Sequence, residues 1–257
     1  MPLRQATGVG TDEDRSILTL PAPPPDAVLS YGPSAGSVAD VRSGGPAAAR
    51  RPLLVIVHGG FWRPDFDRSH VQPMAVALAD AGWSSIVPEY RRIPGDPDAA
   101  VADVHAAVHS LPGNPALAGH SDGRVVLVGH SAGGHLALLA AAGGGQQLGG
   151  VLALAPVADL RLSEALALDG DAVRAFLGGP AAERADLDPV RMPTPAGRIQ
   201  LLHGLDDAVV PLSVSESYRA RHPRAELARV GAGHYALIDP RSRVWPELLA
   251  ALGALSS

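Results

Sequence analysis

Residues 129 to 134 read Gly-His-Ser-Ala-Gly-Gly. They follow the apolar, β-branched run Val125 to Val128 and precede the helix-forming stretch Leu136 to Ala142. That order predicts a strand, a sharp turn with Ser131 at its apex, and a helix. Such a turn lifts a hydroxyl clear of a sheet and aims the backbone N–H of the next residue, Ala132, at whatever the hydroxyl attacks. Gly129 and Gly133, two residues to either side of the serine, let neighbouring backbone pass without a Cβ clash. A glycine-rich turn with a capping serine is the plainer reading of the same six residues, so the rest of the chain has to decide.

The flanking sequence repeats one pattern. Weak strands are expected near Ala27 to Tyr31 and Val38 to Arg42, and Leu53 to Val57 is a continuous aliphatic run, as expected of a strand buried on both faces. Met74 to Ala81 reads as a helix closed by Gly82, Trp83 to Val87 as a strand, and Asp98 to Leu111 as a helix with Val101, Val104, Val108 and Leu111 on one stripe. Strands at 125–128, 151–155, 199–202 and 226–230 then alternate with helices at 132–142, 211–221 and near 243–255. Alternation at this spacing predicts an α/β fold, a doubly wound and mostly parallel sheet with helices on both faces.

Two segments fall outside the pattern. Residues 1–25 hold Pro21, Pro23, Pro24 and Pro25 with little periodicity and are expected to form an irregular leader to a single domain spanning 26–257. Between Asp159 and Pro195 the alternation breaks into short helical pieces around Gly178-Gly179-Pro180. This insertion of about 159–195 is placed where a small lid would sit, and a surface connection with no part in binding is the competing expectation.

Composition removes several function classes. The net charge is -5, all 21 basic residues are arginines, and they are scattered, which argues against nucleic acid or membrane as a partner. With no cysteine there are no disulfides, no thiolate metal sites and no cysteine nucleophile. Met1 to Gly10 lacks the apolar core of a secretory signal, so a cytoplasmic location is expected.

In a parallel sheet the ligand site lies at the carboxyl ends of the strands, where His58-Gly59-Gly60, Ser131, Asp207 and His234 all fall. A serine hydroxyl needs a positioned base, and the base an orienting carboxylate. Among ten histidines, His234 lies in Gly231-Ala232-Gly233-His234-Tyr235, a loop after the last strand from which an imidazole can reach the sheet edge; His222 ends a helix before Pro223. Asp206 and Asp207 compete for the acid, and Asp207, four residues before Pro211, is preferred. The chain order Ser131, Asp207, His234 is the one associated with a nucleophile elbow on a doubly wound sheet. Ala132 N–H supplies one oxyanion donor, with Gly60 and Phe61 the best candidates for the others; losing one such donor typically costs about 2.7–4 kcal/mol of barrier. Phe61, Trp62, His130 and Tyr235 are the expected substrate-pocket residues, with plain core packing as the competing role for Phe61 and Trp62.

Together His58-Gly59-Gly60-Phe61-Trp62, Pro88-Glu89-Tyr90-Arg91-Arg92, Gly129 to His135, His203-Gly204 through Asp207 to Pro211, and Gly233-His234-Tyr235 resemble the α/β-hydrolase superfamily. Within it the chain is similar to small carboxylesterases, a branch that includes hormone-sensitive-lipase-like esterases and kynurenine formamidases. The resemblance covers roughly residue 27 to the C-terminus. It implies the α/β-hydrolase fold and serine-triad hydrolysis of a small-molecule ester or amide, with no cofactor and no metal. Phe61 stands where the lipase-like pattern has a third glycine, a change shared with formamidases, and no long N-terminal cap is expected. A homodimer is compatible with this branch, and a ligand-binding or interaction module on a hydrolase fold is the non-enzymatic alternative.

Other signals are weaker. In Gly129 to Gly134, Ser131 occupies the position where a dinucleotide fingerprint needs its second glycine. His105 and His109 are four apart on a helix, but Ala106 replaces the glutamate of a metalloprotease motif and no third ligand is apparent. Glu89 and Arg91 are expected in structural ion pairs, and His135 on the first turn of the helix after Ser131 is assigned no chemistry.

Overall fold

The computed structural model describes residues 13–144 and 148–256. Eight strands form one sheet: β1 (Ala27–Ser30), β2 (Val38–Arg42), β3 (Leu53–Val57), β4 (Ser85–Pro88), β5 (Val125–His130), β6 (Leu148–Leu154), β7 (Arg198–Gly204) and β8 (Glu226–Val230). Their spatial order is β1-β2-β4-β3-β5-β6-β7-β8. β2 pairs antiparallel with both β1 and β4, and every pairing from β4 through β8 is parallel.

The aliphatic run at 53–57 is explained by helices on both faces. Leu53, Val55 and Val57 join one core layer with Val125 and Leu127, while Leu54 and Ile56 join the other with Val126 and Val128. The period-2 geometry of a strand sends alternate residues to opposite faces, so a central strand can contain no polar position. The first layer is closed by α2 (Pro97–Ser110) and α3 (Ala132–Ala142), and α6 (Leu212–Arg221) adds Val214 and Tyr218. The second is closed by α1 (Gln72–Asp80) and α7 (Trp245–Leu255) through Met74, Leu78, Leu248 and Leu252.

The insertion at 159–195 contains α4 (Leu160–Ala165), α5 (Ala172–Leu177) and three short 3₁₀ turns. Leu160, Val173, Phe176, Leu177 and Leu187 join the first core layer, so its inner side is part of the main core. The expected leader falls partly on residues 1–12, outside the described residues. Residues 13–25 are irregular apart from a 3₁₀ turn at Ser16–Thr19, which packs Ile17 into the second core layer. Among the described residues no helix is long and apolar enough to cross a membrane.

Candidate active site

Ser131 sits between β5 and α3 with φ 56° and ψ -120°, a conformation that costs a non-glycine residue on the order of 1–3 kcal/mol. Neighbouring backbone holds it there. Its N–H donates to Leu154 O at 2.9 Å, and its carbonyl accepts from His135 N at 3.1 Å and Val157 N at 3.2 Å. The flanking glycines are required by contact: a Cβ on Gly133 would lie 2.1 Å from Val57 O, and one on Gly129 would lie 2.3 Å from Gly133 O. α3 is thus pressed against the end of β3.

Asp207 follows β7 and has a fully buried side chain. Its Oδ1 accepts from Val209 N at 2.9 Å and Val210 N at 2.7 Å, and its Oδ2 accepts from His234 Nδ1–H at 2.7 Å. That acceptor places the imidazole proton on Nδ1 and leaves Nε2 to face the cleft. Asp206 is exposed, with its N–H on Ala232 O. Asp207 also has a second imidazole nearby, His203 Nε2 at 3.4 Å. The His203 ring is held by Val210 O at 2.9 Å and Ser215 Oγ at 2.7 Å. Burial pushes its pKa down, against the pull of the Val210 hydrogen bond and the Asp207 charge.

Ser131 and His234 line one narrow cleft of about 20 Å³, together with Leu18, Gly60, Phe61, Phe66, His70, His130 and Tyr235. This volume holds roughly one or two waters. Among the described residues the Ser131 hydroxyl has no hydrogen-bond partner, and Ser131 and His234 share this cleft. His130 packs against His234 with ring centroids 4.4 Å apart and its Nε2 3.2 Å from His234 O. Burial first, then the neighbouring His234, push the His130 pKa well below the ordinary imidazole value. His70 is pushed down to about 4, chiefly by burial and then by His58.

The loop after β3 is folded by a left-handed run. Gly60, Phe61 and Trp62 have φ of 107°, 49° and 55°, and Arg63 N donates to Gly60 O at 2.9 Å. Among the described residues the N–H groups of Gly60 and Phe61 have no acceptor, and that of Ala132 is free as the first residue of its helix. Gly60 and Phe61 line the same cleft as Ser131, and Ala132 follows it in the chain. Tyr90 OH donates to His58 O at 2.9 Å, and the His58 ring stacks on Tyr90 at 4.3 Å with Nε2 3.1 Å from Glu89 Oε1. Glu89 also binds Arg68 and Arg92. Burial opposes ionisation of Glu89, but the His58 and Arg92 hydrogen bonds outweigh it and hold its carboxyl below the usual range. Arg91 pairs with Asp103 instead, at 2.8 Å.

Of the pocket residues expected from sequence, Phe61, His130 and Tyr235 line the cleft. Trp62 does not: it is buried, stacked on Phe176 at 4.4 Å and edge-on to His135 at 5.1 Å. The indole is held there by α5, whose Phe176 presents an aromatic face to it. His135 is likewise structural, with Nε2 2.8 Å from Leu187 O. No residue of 159–195 lines the cleft. Leu18, Phe66 and His70 do, and sequence reasoning missed them. Phe66 and His70 continue the loop that begins at His58, which was a usable signal; Leu18 had none. His105 and His109 stack at 5.9 Å, and among the described residues no group of three or more histidine, aspartate or glutamate side chains could hold a metal.

Residues 40–166 match the BD-FAE family model. The probable carboxylic ester hydrolase LipM of Mycobacterium tuberculosis is 33% identical over 92 residues, 35% of this chain. That alignment spans only 21% of LipM. Among solved structures, esterase B from Lactobacillus rhamnosis aligns with a TM-score of 0.71 at 20% identity, covering 94% of this chain and 90% of that one. A thermophilic esterase from the Planctomycetes species Thermogutta terrifontis aligns at 0.65 and 21% identity, covering 89% and 92%. At these identities the structural likeness establishes the fold. The chain has the α/β-hydrolase fold, and its residues 40–166 are similar to the BD-FAE family.

Proposed function

We propose that this protein is a serine hydrolase that cleaves a small carboxylic ester through an acyl-enzyme. The observation that carries the reading is the Ser131 elbow sharing a cleft with His234, whose Nδ1–H donates to buried Asp207 at 2.7 Å. In the proposed cycle His234 Nε2 takes the Ser131 proton as Oγ bonds to the ester carbonyl carbon. The carbonyl oxygen becomes an oxyanion facing the N–H groups of Ala132, Gly60 and Phe61. Collapse breaks the carbon–oxygen bond to the alcohol, which leaves with the proton from His234. Water, deprotonated by the same ring, attacks the acyl-enzyme, and the acid departs as Ser131 regains its proton. Asp207 holds the tautomer that leaves Nε2 free to accept.

Phe61, standing where the lipase-like pattern has a third glycine, supports a second reading within the same mechanism, cleavage of a formamide such as N-formylkynurenine. One experiment tests both. Fluorophosphonate should label wild-type protein and not Ser131→Ala, and p-nitrophenyl acetate should give a burst that Ser131→Ala abolishes. A wild-type protein that is neither labelled nor acylated overturns the proposal. Turnover of N-formylkynurenine above that of acetyl and butyryl esters would make the formamide the substrate class.

A further inference from the structure

Residues 13–20 lie across one side of the cleft. Ile17 is buried in the second core layer, Arg15 sits over the Tyr235 ring at 5.4 Å, and Arg241 Nη2 donates to Ser16 Oγ at 2.8 Å. This strap delivers Glu13 to a point between two irregular loops. Glu13 Oε1 accepts from Ala208 N at 2.7 Å, and Oε2 accepts from His234 N at 2.7 Å and Tyr235 N at 3.4 Å. One carboxylate therefore grips the residue after the acid and the backbone of the base itself.

The seat is shaped for that group. A Cβ on Gly233 would lie 3.0 Å from Glu13 Cδ and 3.0 and 3.1 Å from its two oxygens, so the carboxylate rests on the bare glycine backbone. The feet of the two loops are already joined, by Leu205 N to Val230 O at 2.8 Å and Asp206 N to Ala232 O at 3.0 Å. Among the described residues, Glu13 and the Asp207–His234 bond join their tips. On its outer side runs an open groove of about 750 Å³, lined by Glu13, Asp14, Asp206, Gly233 and Arg241 among others, through which a small solute can reach the seat.

The geometry points to Glu13 as a positioning residue for the proposed hydrolysis: by clamping the Asp207 and His234 loops together, its carboxylate fixes the bond that orients the base. The inference rests on the serine-hydrolase reading. A carboxylate offers two acceptor oxygens where an amide offers one oxygen and an NH₂ group, so glutamine cannot satisfy both loops. Misplacing a base by a fraction of an ångström to an ångström is expensive in kcat and cheap in binding.

The test uses the full chain with p-nitrophenyl acetate, fluorophosphonate labelling, thermal unfolding and the low-field proton NMR signal of the His234 Nδ1–H. Glu13→Ala should lower kcat roughly 10- to 100-fold with KM changed less than about twofold, and should shift or broaden the low-field proton. Added formate should restore kcat by occupying the vacated seat. Glu13→Gln should stay impaired. Gly233→Ala, whose Cβ presses on the carboxylate from the opposite side and shifts it by a few tenths of an ångström, should lower kcat in the wild type and add little in a Glu13→Ala background. It also carries the test should Glu13→Ala fail to fold. A Glu13→Ala protein with wild-type kcat and an unmoved proton signal overturns the inference, as does a loss that formate does not recover. A wild type inert to ester and fluorophosphonate would sink the hydrolase reading, a result distinguishable from either of these.

Discussion

Asp207 and Asp206 are chemically identical neighbours whose surroundings separate them. Asp207 accepts three hydrogen bonds in a buried pocket, one of them from His234, while Asp206 lies exposed on the outer groove. Asp207→Asn should therefore lower esterase kcat by on the order of 10³- to 10⁴-fold, because an amide nitrogen facing Nδ1 favours the wrong tautomer. Asp206→Asn should leave kcat near the wild-type value. Steady-state kinetics of the two variants decides between them, and the reverse order would move the acid by one position. The pair was separable in sequence only by its distance from Pro211. His203, buried 3.4 Å from the same carboxylate, was not legible at all, since nothing in His-Gly-Leu-Asp distinguishes a ring packed under Asp207 from one exposed to solvent.

At the scale of the element, the β5–α3 turn is governed by contact between backbones. Gly133→Ala drives a Cβ to within 2.1 Å of Val57 O and 2.4 Å of His58 O, atoms that cannot rotate away. It should destabilise the protein by at least about 1–3 kcal/mol. Gly253, exposed near the end of α7 with open space around its Cα, provides the contrast: Gly253→Ala should stabilise by roughly 0.5–1 kcal/mol. Denaturant unfolding of both variants measures the difference in sign. Elements whose pattern is local, such as the strand at 53–57, the helix at 132–142 and the turn between 128 and 132, were legible because periodicity and glycine spacing reside within a dozen residues. Trp62 and Glu13 were not. The indole is placed by Phe176 from the insertion, and Glu13 meets partners some two hundred residues away, so no window of sequence contains either relationship.

For the whole molecule, one buried group gives stability an unusual pH dependence. Asp188 is fully buried at the foot of the insertion, with Oδ1 accepting from Leu160 N at 2.9 Å and Oδ2 without a partner among the described residues. Burial raises its pKa from 3.8 to about 6; Asp159 adds to the rise, and the Leu160 hydrogen bond and Arg191 oppose it. Between these values the folded state binds more protons than the unfolded chain, so this group's contribution to stability falls as pH rises from about 4 to about 6 and is least favourable above that. Asp188→Asn, neutral throughout, should be more stable than the wild type by roughly 1–3 kcal/mol at pH 8, and the advantage should shrink toward pH 4. Thermal unfolding across that range tests it, and an advantage that grows as pH falls would contradict the assignment.

The contact between Gly133 and the carbonyls of Val57 and His58 also bears on how such a scaffold can diversify. The spacing between Ser131 and the loop that bears Gly60 and Phe61 is set by two main chains touching, with no side chain between them to enlarge or trim. That distance is not adjustable by ordinary substitution. The walls contributed by Leu18, Phe66 and Tyr235 are side chains on the strap and loops, and they can be exchanged one at a time. Change in such a protein is channelled accordingly: the reacting geometry is inherited whole, and selectivity drifts at the rim.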